Sequence, residues 1–309
     1  MLHNDELARA TGHKRSSSPL NEGLSGGPAG YEARFRRHAA VDEAVDRYTS
    51  AILAVREDAA YAFKLLSKEE RYRAFMIFGL MSAMDEKGYG LPNGLFASYC
   101  EQAAGISKRT AQTTLQLLVH YGFAQMRIDP SDRRSRLYRA EPKLVQFLTD
   151  WIEASLIALR LLDVPAAREA TPRQLMPALT VSGSDAYAQD GYVFFPDPDF
   201  RHLFAEIEGG SLVVMAVVAS AREGGPGPSR GDLARRFHMS RAQVTRIVAV
   251  GRESGLFGAD EAGAPTVTAR LEDTYLDCIL KALGFLAFHY ENGLRMGGGP
   301  RTLPGERER

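Results

Sequence analysis

Cysteine is nearly absent: Cys100 and Cys278 are the only two in 309 residues, and neither has the paired spacing that metal and redox motifs require. A disulfide framework is thereby excluded, and a reducing compartment is expected. Long apolar runs are missing too, since no stretch approaches the roughly 20 apolar residues that span a bilayer. Neither sign of charge is in excess, with 38 basic residues against 38 acidic ones, so the chain is not coated in positive potential. A nucleic-acid binder, however, needs a basic surface in one place rather than a basic total, which leaves the local distribution to decide. The sequence also lacks a GxxxxGK phosphate loop, an HExxH pair and a nucleophile elbow, so it supports no enzyme reading, and neither metal nor cofactor is expected.

What is present is the composition of an ordinary globular protein, 45% apolar and 25% charged, long enough for about two domains. Residues 1–30 are rich in Gly, Ser and Pro and lack the apolar core of a secretory signal. They read as a disordered arm of a cytoplasmic protein, and residues 297–309 as a disordered tail.

After the arm, Val41, Val45, Tyr48, Ile52 and Val55 recur at helical spacing, with Ala44 and Ala51 widening the face. Ser67 and Glu70 have capping-box spacing ahead of RYRAFMIFGLMSAMDEKGYG, which reads as a buried helix ending at glycines. LFASYCEQAAGISKRTAQTTLQLLVHYGF then reads as two short helices joined at Gly105 to Ser107, with Ser107 as N-cap of the second. AQMRI and SRLYR are strand-like and flank a turn holding Asp129 and Pro130, so they predict a hairpin. A long helix from about Pro142 to Asp163 follows, stopped by Pro165, with Leu144, Leu148, Trp151, Ile152, Leu159 and Leu162 on one face. The fold class expected is mainly α with small β-hairpin wings, in winged-helix order.

Residues 164–200 contain Pro165, Pro172, Pro177, Pro196 and Pro198 and no sustained helical period. They read as a connector whose VFFP portion packs on a domain. Beyond it the earlier order recurs at an offset of 133 residues. Ser107, Lys108 and Gly122 match Ser240, Arg241 and Gly255, while apolar Ile106, Ala111, Leu115 and Leu117 fall opposite Met239, Val244, Val248 and Val250. Core and cap positions recur together, which favours duplication over chance. SLVVMAVVASAREGG supplies a second buried helix and GDLARRF a second leading helix. LEDTYLDCILKALGFLAFHYENG supplies a closing helix expected to end at Asn292 and Gly293. The domains are therefore 31–163 and 201–296, tandem winged helix-turn-helix units.

In a helix-turn-helix the second helix enters the major groove and basic flanks hold phosphates. The first candidate reader offers Ser107, Lys108, Arg109, Thr110, Gln112 and Thr113; the second offers Ser240, Arg241, Gln243, Thr245 and Arg246, preceded by Arg235 and Arg236. From Ser107 to Arg139 seven cations face only Asp129 and Asp132, a plausible DNA footprint. The second hairpin, GADEAGAPTVTAR, is short and carries Asp260 and Glu261 against Arg270. His120 and His289 stand alone and read as structural or surface residues; Trp151 and Cys100 read as core.

The phrase DPSDRRSRL, after a helix-turn-helix and before a long helix, resembles the wing of MarR-family transcription regulators. The resemblance covers about Tyr72 to Leu162, and the second repeat less fully. It implies that Asp132 and Arg134 are the wing aspartate and arginine, that Arg133 and Arg136 are phosphate partners, and that Ser107 to Thr113 open the recognition helix. It also implies double-stranded DNA as partner and allows a small-molecule effector between long helices. LYRAEP replaces the family's Leu-Thr ending of the wing, and one chain carries two domains, so an intramolecular pseudo-dimer and a homodimer both stand open. A protein-interaction adaptor and an origin-binding replication initiator are the alternative functions.

Overall fold

The structure, a computed structural model, describes residues 27–60, 62, 66, 68–83, 85, 89–129, 132–188 and 194–296. The first 26 residues, Ser67, Pro130 and the expected tail lie outside that set, so neither the capping box at Ser67 nor the turn at Pro130 is described. Helix α1, Gly27–Phe35, already begins inside the segment expected to be an arm. It is ordered by docking: Tyr31 and Phe35, four residues apart and so on one face, are both buried, and the Tyr31 hydroxyl donates to Glu291 Oε2 at 2.6 Å.

Helix α2, Val41–Glu57, buries Ala44, Val45, Tyr48, Thr49, Ile52 and Leu53, the face the apolar spacing predicts. Helix α3, Glu69–Ala83, buries eight consecutive residues from Ala74 to Met81, so it is enclosed on all sides and has no amphipathic period to read. Strand β1, Leu91–Pro92, leads into α4, Asn93–Ala104, and α5, Lys108–His120. Strands β2, Ala124–Ile128, and β3, Arg136–Ala140, form the expected hairpin, in register from Ala124 opposite Ala140 to Ile128 opposite Arg136. β1 pairs with β3 to complete an antiparallel sheet of order β1-β3-β2. Helix α6, Pro142–Leu161, starts on a proline whose missing N–H costs nothing at that position.

The connector expected over 164–200 is instead largely helical. Short α7, Pro165–Glu169, precedes α8, Pro172–Ala188, and α9, Pro198–Arg201, runs into a π-turn at His202–Glu206. Pro165, Pro172 and Pro198 sit at helix starts, where proline is favoured, and not at breaks. Pro177 alone lies inside a helix. The packing expected of VFFP is observed at Phe194 and Phe195, whose rings meet Phe285 at 5.5 Å and Phe204 at 5.6 Å.

Helix α10, Gly210–Arg222, is the second enclosed helix, buried from Gly210 to Ala219. It is followed by α11, Arg230–Arg236, α12, Arg241–Glu253, the hairpin of β4, Phe257–Ala259, and β5, Pro265–Val267, and finally α13, Ala269–Arg295. The helix runs to Arg295, two residues past the stop expected at Asn292 and Gly293. Gly293 is a contact residue: a Cβ there would lie 2.1 Å from the carbonyl oxygen of Ala178, so its absence lets α13 cross α8 closely.

Helices α2 and α8 are each 17 residues long, and each precedes the enclosed helix of its half. Each lies along the closing helix of its own half, α2 on α6 and α8 on α13. Each also crosses to the enclosed helix of the other half, α2 against α10 and α8 against α3. Thr49 and Tyr275 share a buried hydrogen bond of 3.0 Å, and Arg222 of α10 holds Asp46 of α2. The halves thus interlock reciprocally around one continuous core. No single helix among the described residues is long and apolar enough to cross a membrane.

Candidate nucleic-acid interface

In the first half the turn between α4 and α5 closes through Gly105 at φ 64°, with Ile106 N–H donating to the Cys100 carbonyl at 3.0 Å. Ser107 Oγ then accepts from the Thr110 N–H at 3.1 Å, capping α5. The second half repeats this geometry at the offset of 133. His238 takes φ 51° where Gly105 stands, Ser240 Oγ accepts from the Gln243 N–H at 3.1 Å, and α12 is 13 residues long, as α5 is. Gly122 and Gly255, at φ 72° and 70°, end both helices, and β2 and β4 begin 133 apart at Ala124 and Phe257.

The correspondence breaks at the hairpins. Glu141 and Thr268, which precede the closing helices, are 127 residues apart instead of 133, so the second hairpin is shorter by six. In the first, Asp132 Oδ1 accepts from the Arg134 N–H at 3.0 Å and the Asp132 carbonyl from the Ser135 N–H at 2.8 Å. This turn presents Arg133 and Arg134 at an exposed corner, with Arg136 exposed beside them. In the second, Asp260 is spent on its own loop, accepting from the Ala264 N–H at 2.7 Å, and Glu261 is exposed.

On α5, Ala111, Thr114, Leu115 and Leu118 face the core. Lys108, Arg109, Gln112 and Gln116 are exposed, and Thr110 and Thr113 are half-buried. Thr110 Oγ1 is engaged with Ser107 Oγ at 3.0 Å, which makes both residues parts of the cap. Lys108 Nζ lies 3.1 Å from Glu101 Oε2; an exposed pair of this kind is worth about 0–1 kcal/mol and yields easily to a phosphate. Gln116, which the sequence pattern did not single out, stands one turn after Gln112 on the same exposed stripe.

The second set is less free. Arg241, Thr245 and Arg246 are exposed on α12, flanked by Ala242 and Ala249 where the first helix has Arg109 and Gln116. Arg235 pairs with Asp232, and Arg236 with Glu57 of α2. Gln243, a candidate base reader in the sequence, is half-buried and donates through Nε2 to the Glu208 carbonyl at 2.9 Å. The Glu208 carboxylate lies 3.4 Å from Arg71 Nη1 and 3.8 Å from Lys68 Nζ, so Gln243 belongs to a bridge between halves.

No family model, curated protein or solved structure matches the chain. Of the remaining candidates, His120 is exposed and stacks edge-on against Tyr121 at 4.9 Å. His289 is buried, shares a 2.9 Å hydrogen bond with Ser182 Oγ, and is held neutral, its pKa lowered to about 4 by burial. Cys100 and Cys278 are buried, and burial pushes both thiols up to about 12, far from the thiolate character a redox sensor needs. Trp151 is half-buried at the edge of the core.

Proposed function

We propose that this chain is a sequence-specific, double-stranded DNA-binding transcription regulator built from two tandem winged helices, akin to the MarR-family proteins its first hairpin resembles. The observation that carries the reading is the paired geometry at offset 133: two serine-capped 13-residue helices, each after a left-handed turn residue and each followed by a hairpin. Such a helix presents an exposed polar stripe that suits the major groove, and an adjoining hairpin suits the backbone or minor groove.

In this reading Arg109, Gln112, Thr113 and Gln116 contact base edges from the first half, and Thr245 and Arg246 from the second. Lys108, Arg133, Arg134, Arg136 and Arg241 hold phosphates. The reciprocal packing of α2 and α8 supports an intramolecular pseudo-dimer, in which one chain supplies both readers. Binding, not turnover, is the activity. The test is a mobility-shift measurement with genomic fragments, followed by footprinting of the retained ones. A protected site near promoters supports regulation; retention of no fragment over non-specific competitor would refute the reading.

A further inference from the structure

Strand β2 is an edge of its sheet, yet its outer half exposes apolar side chains where edge strands usually carry charge. Met126 and Ile128 are 42% and 60% exposed. They stand two residues apart and so share one face of the strand. Across the ladder on that face lie Ala140 opposite Ala124, Tyr138 opposite Met126 and Arg136 opposite Ile128. Ala124 and Tyr138 belong to the core, so this is the face turned toward the helices, and Met126 and Ile128 overhang the core at its rim. Gln125 and Arg127 occupy the other face, where Arg127 donates to the Tyr89 carbonyl.

Cations frame the overhang. Arg136 is the cross-strand neighbour of Ile128, and the turn at Asp132 presents Arg133 and Arg134 just beyond it, all three exposed. An apolar pair framed by positive charge is complementary to a polyanion with an apolar interior, which is what duplex DNA is: phosphates outside, stacked bases within. The second hairpin supplies an internal comparison. At the offset of 133, Met126 and Ile128 correspond to Ala259 and Glu261, and residues 257–267 contain no cation, so the apolar pair and the positive frame are missing there together.

We propose that Ile128, backed by Met126, is a wedge that enters the minor groove of duplex DNA, parts two stacked base pairs and kinks the duplex under the first hairpin. The inference rests on the DNA-binding reading above and adds deformation of the DNA to it. Arg133, Arg134 and Arg136 hold the flanking phosphates, while burial of the two exposed apolar side chains offsets the cost of unstacking. Pyrimidine–purine steps unstack most easily and are the preferred points of entry. With Ala259 and Glu261 at the matching places, the second hairpin carries no wedge, so the kink falls in one half of the site only.

The test uses the full chain and a footprinted fragment, end-labelled for fluorescence energy transfer, with unstacked thymines read by permanganate. Binding is followed separately by anisotropy, and thermal melts verify folding. At saturating protein the labelled ends are expected to approach as for a kink of about 20–90°, with permanganate reactivity rising at one step in one half of the site. Ile128→Ala is expected to straighten the bound duplex and remove that reactivity while keeping the parent's salt slope, since no charge is lost. Arg134→Ala does the opposite, lowering the slope and leaving the bound duplex kinked. Retention of no fragment overturns the DNA reading and the wedge with it. A bound fragment that stays straight, with no reactive step, overturns the wedge alone, as does a kink that survives Ile128→Ala combined with Met126→Ala. A free chain that sediments as a dimer dissociated by Ile128→Ala also overturns it, because the patch is then an interface between copies.

Discussion

Arg133, Arg134 and Arg136 provide the most direct test of the DNA reading, because the structure lets their charge be removed without touching the fold. All three side chains are exposed, none forms an ion pair within the described residues, and the turn that displays them is held by Asp132 and backbone. The triple alanine variant should therefore melt within about 0.5 kcal/mol of the parent. Each phosphate contact contributes about 0.9 to the slope of log K against log salt, so three contacts contribute about 2.7. Between roughly 50 and 200 mM salt that slope makes about a 40-fold difference in affinity, which the variant should no longer show. Fluorescence anisotropy on a footprinted fragment at four or five salt concentrations measures it. A folded triple variant with the parent's slope would refute the wing assignment outright, whatever its affinity at one salt.

Other consequences are separable. Gln243→Ala strands the Glu208 carbonyl and should destabilise the protein by about 1–2 kcal/mol in chemical denaturation while leaving base preference unchanged. Gln112→Ala should do the reverse, shifting preference among sequences by about 1–3 kcal/mol with little effect on stability. Gly293→Ala forces α13 away from Ala178 and should cost about 1–3 kcal/mol despite alanine's better helix propensity; Gly94→Ala, with open space around it, serves as the neutral control. His289, lowered to about 4 when folded, is protonated more readily in the unfolded chain between pH 6.5 and 4. Stability should accordingly fall as pH drops through that window, by up to about 3 kcal/mol, and His289→Gln should flatten the fall if the amide keeps the Ser182 contact.

Legibility in the sequence followed the kind of force at each position. Local chemistry was readable: Ser107 and Ser240 cap their helices, the apolar period of α2 names its buried face, and AQMRI and SRLYR pair as strands. Tertiary contact was not readable. Proline at a helix start looks the same in the sequence as proline at a break, so α8 was hidden inside an apparent connector. Gly293 carries a stop signal locally but answers to Ala178, more than one hundred residues away. Gln243 fails as a reader for a related reason. Its place on the helix is right, but its amide is drawn to Glu208 by the interlock of the halves, which no local pattern encodes.

That interlock has a consequence for the DNA as well. In a homodimer, symmetry obliges both reading helices to be identical, so half-sites are inverted copies. A fused pair is free of that obligation, and the matched positions here have diverged. Arg109, Gln112, Thr113 and Gln116 stand opposite Ala242, Thr245, Arg246 and Ala249. The first set offers one guanidinium, one hydroxyl and two amides, suited to guanine and adenine edges; the second offers one guanidinium, one hydroxyl and two alanine methyls that contact only thymine methyl groups. In the proposed complex the acidic, shorter second hairpin offers fewer phosphate contacts on the same side. Base substitutions should thus cost about 1–3 kcal/mol at several positions of one half-site, and only at those under Thr245 and Arg246 in the other. Scanning a footprinted site base by base measures this, and a palindromic profile with equal losses in both halves would show that the two helices read alike despite their side chains.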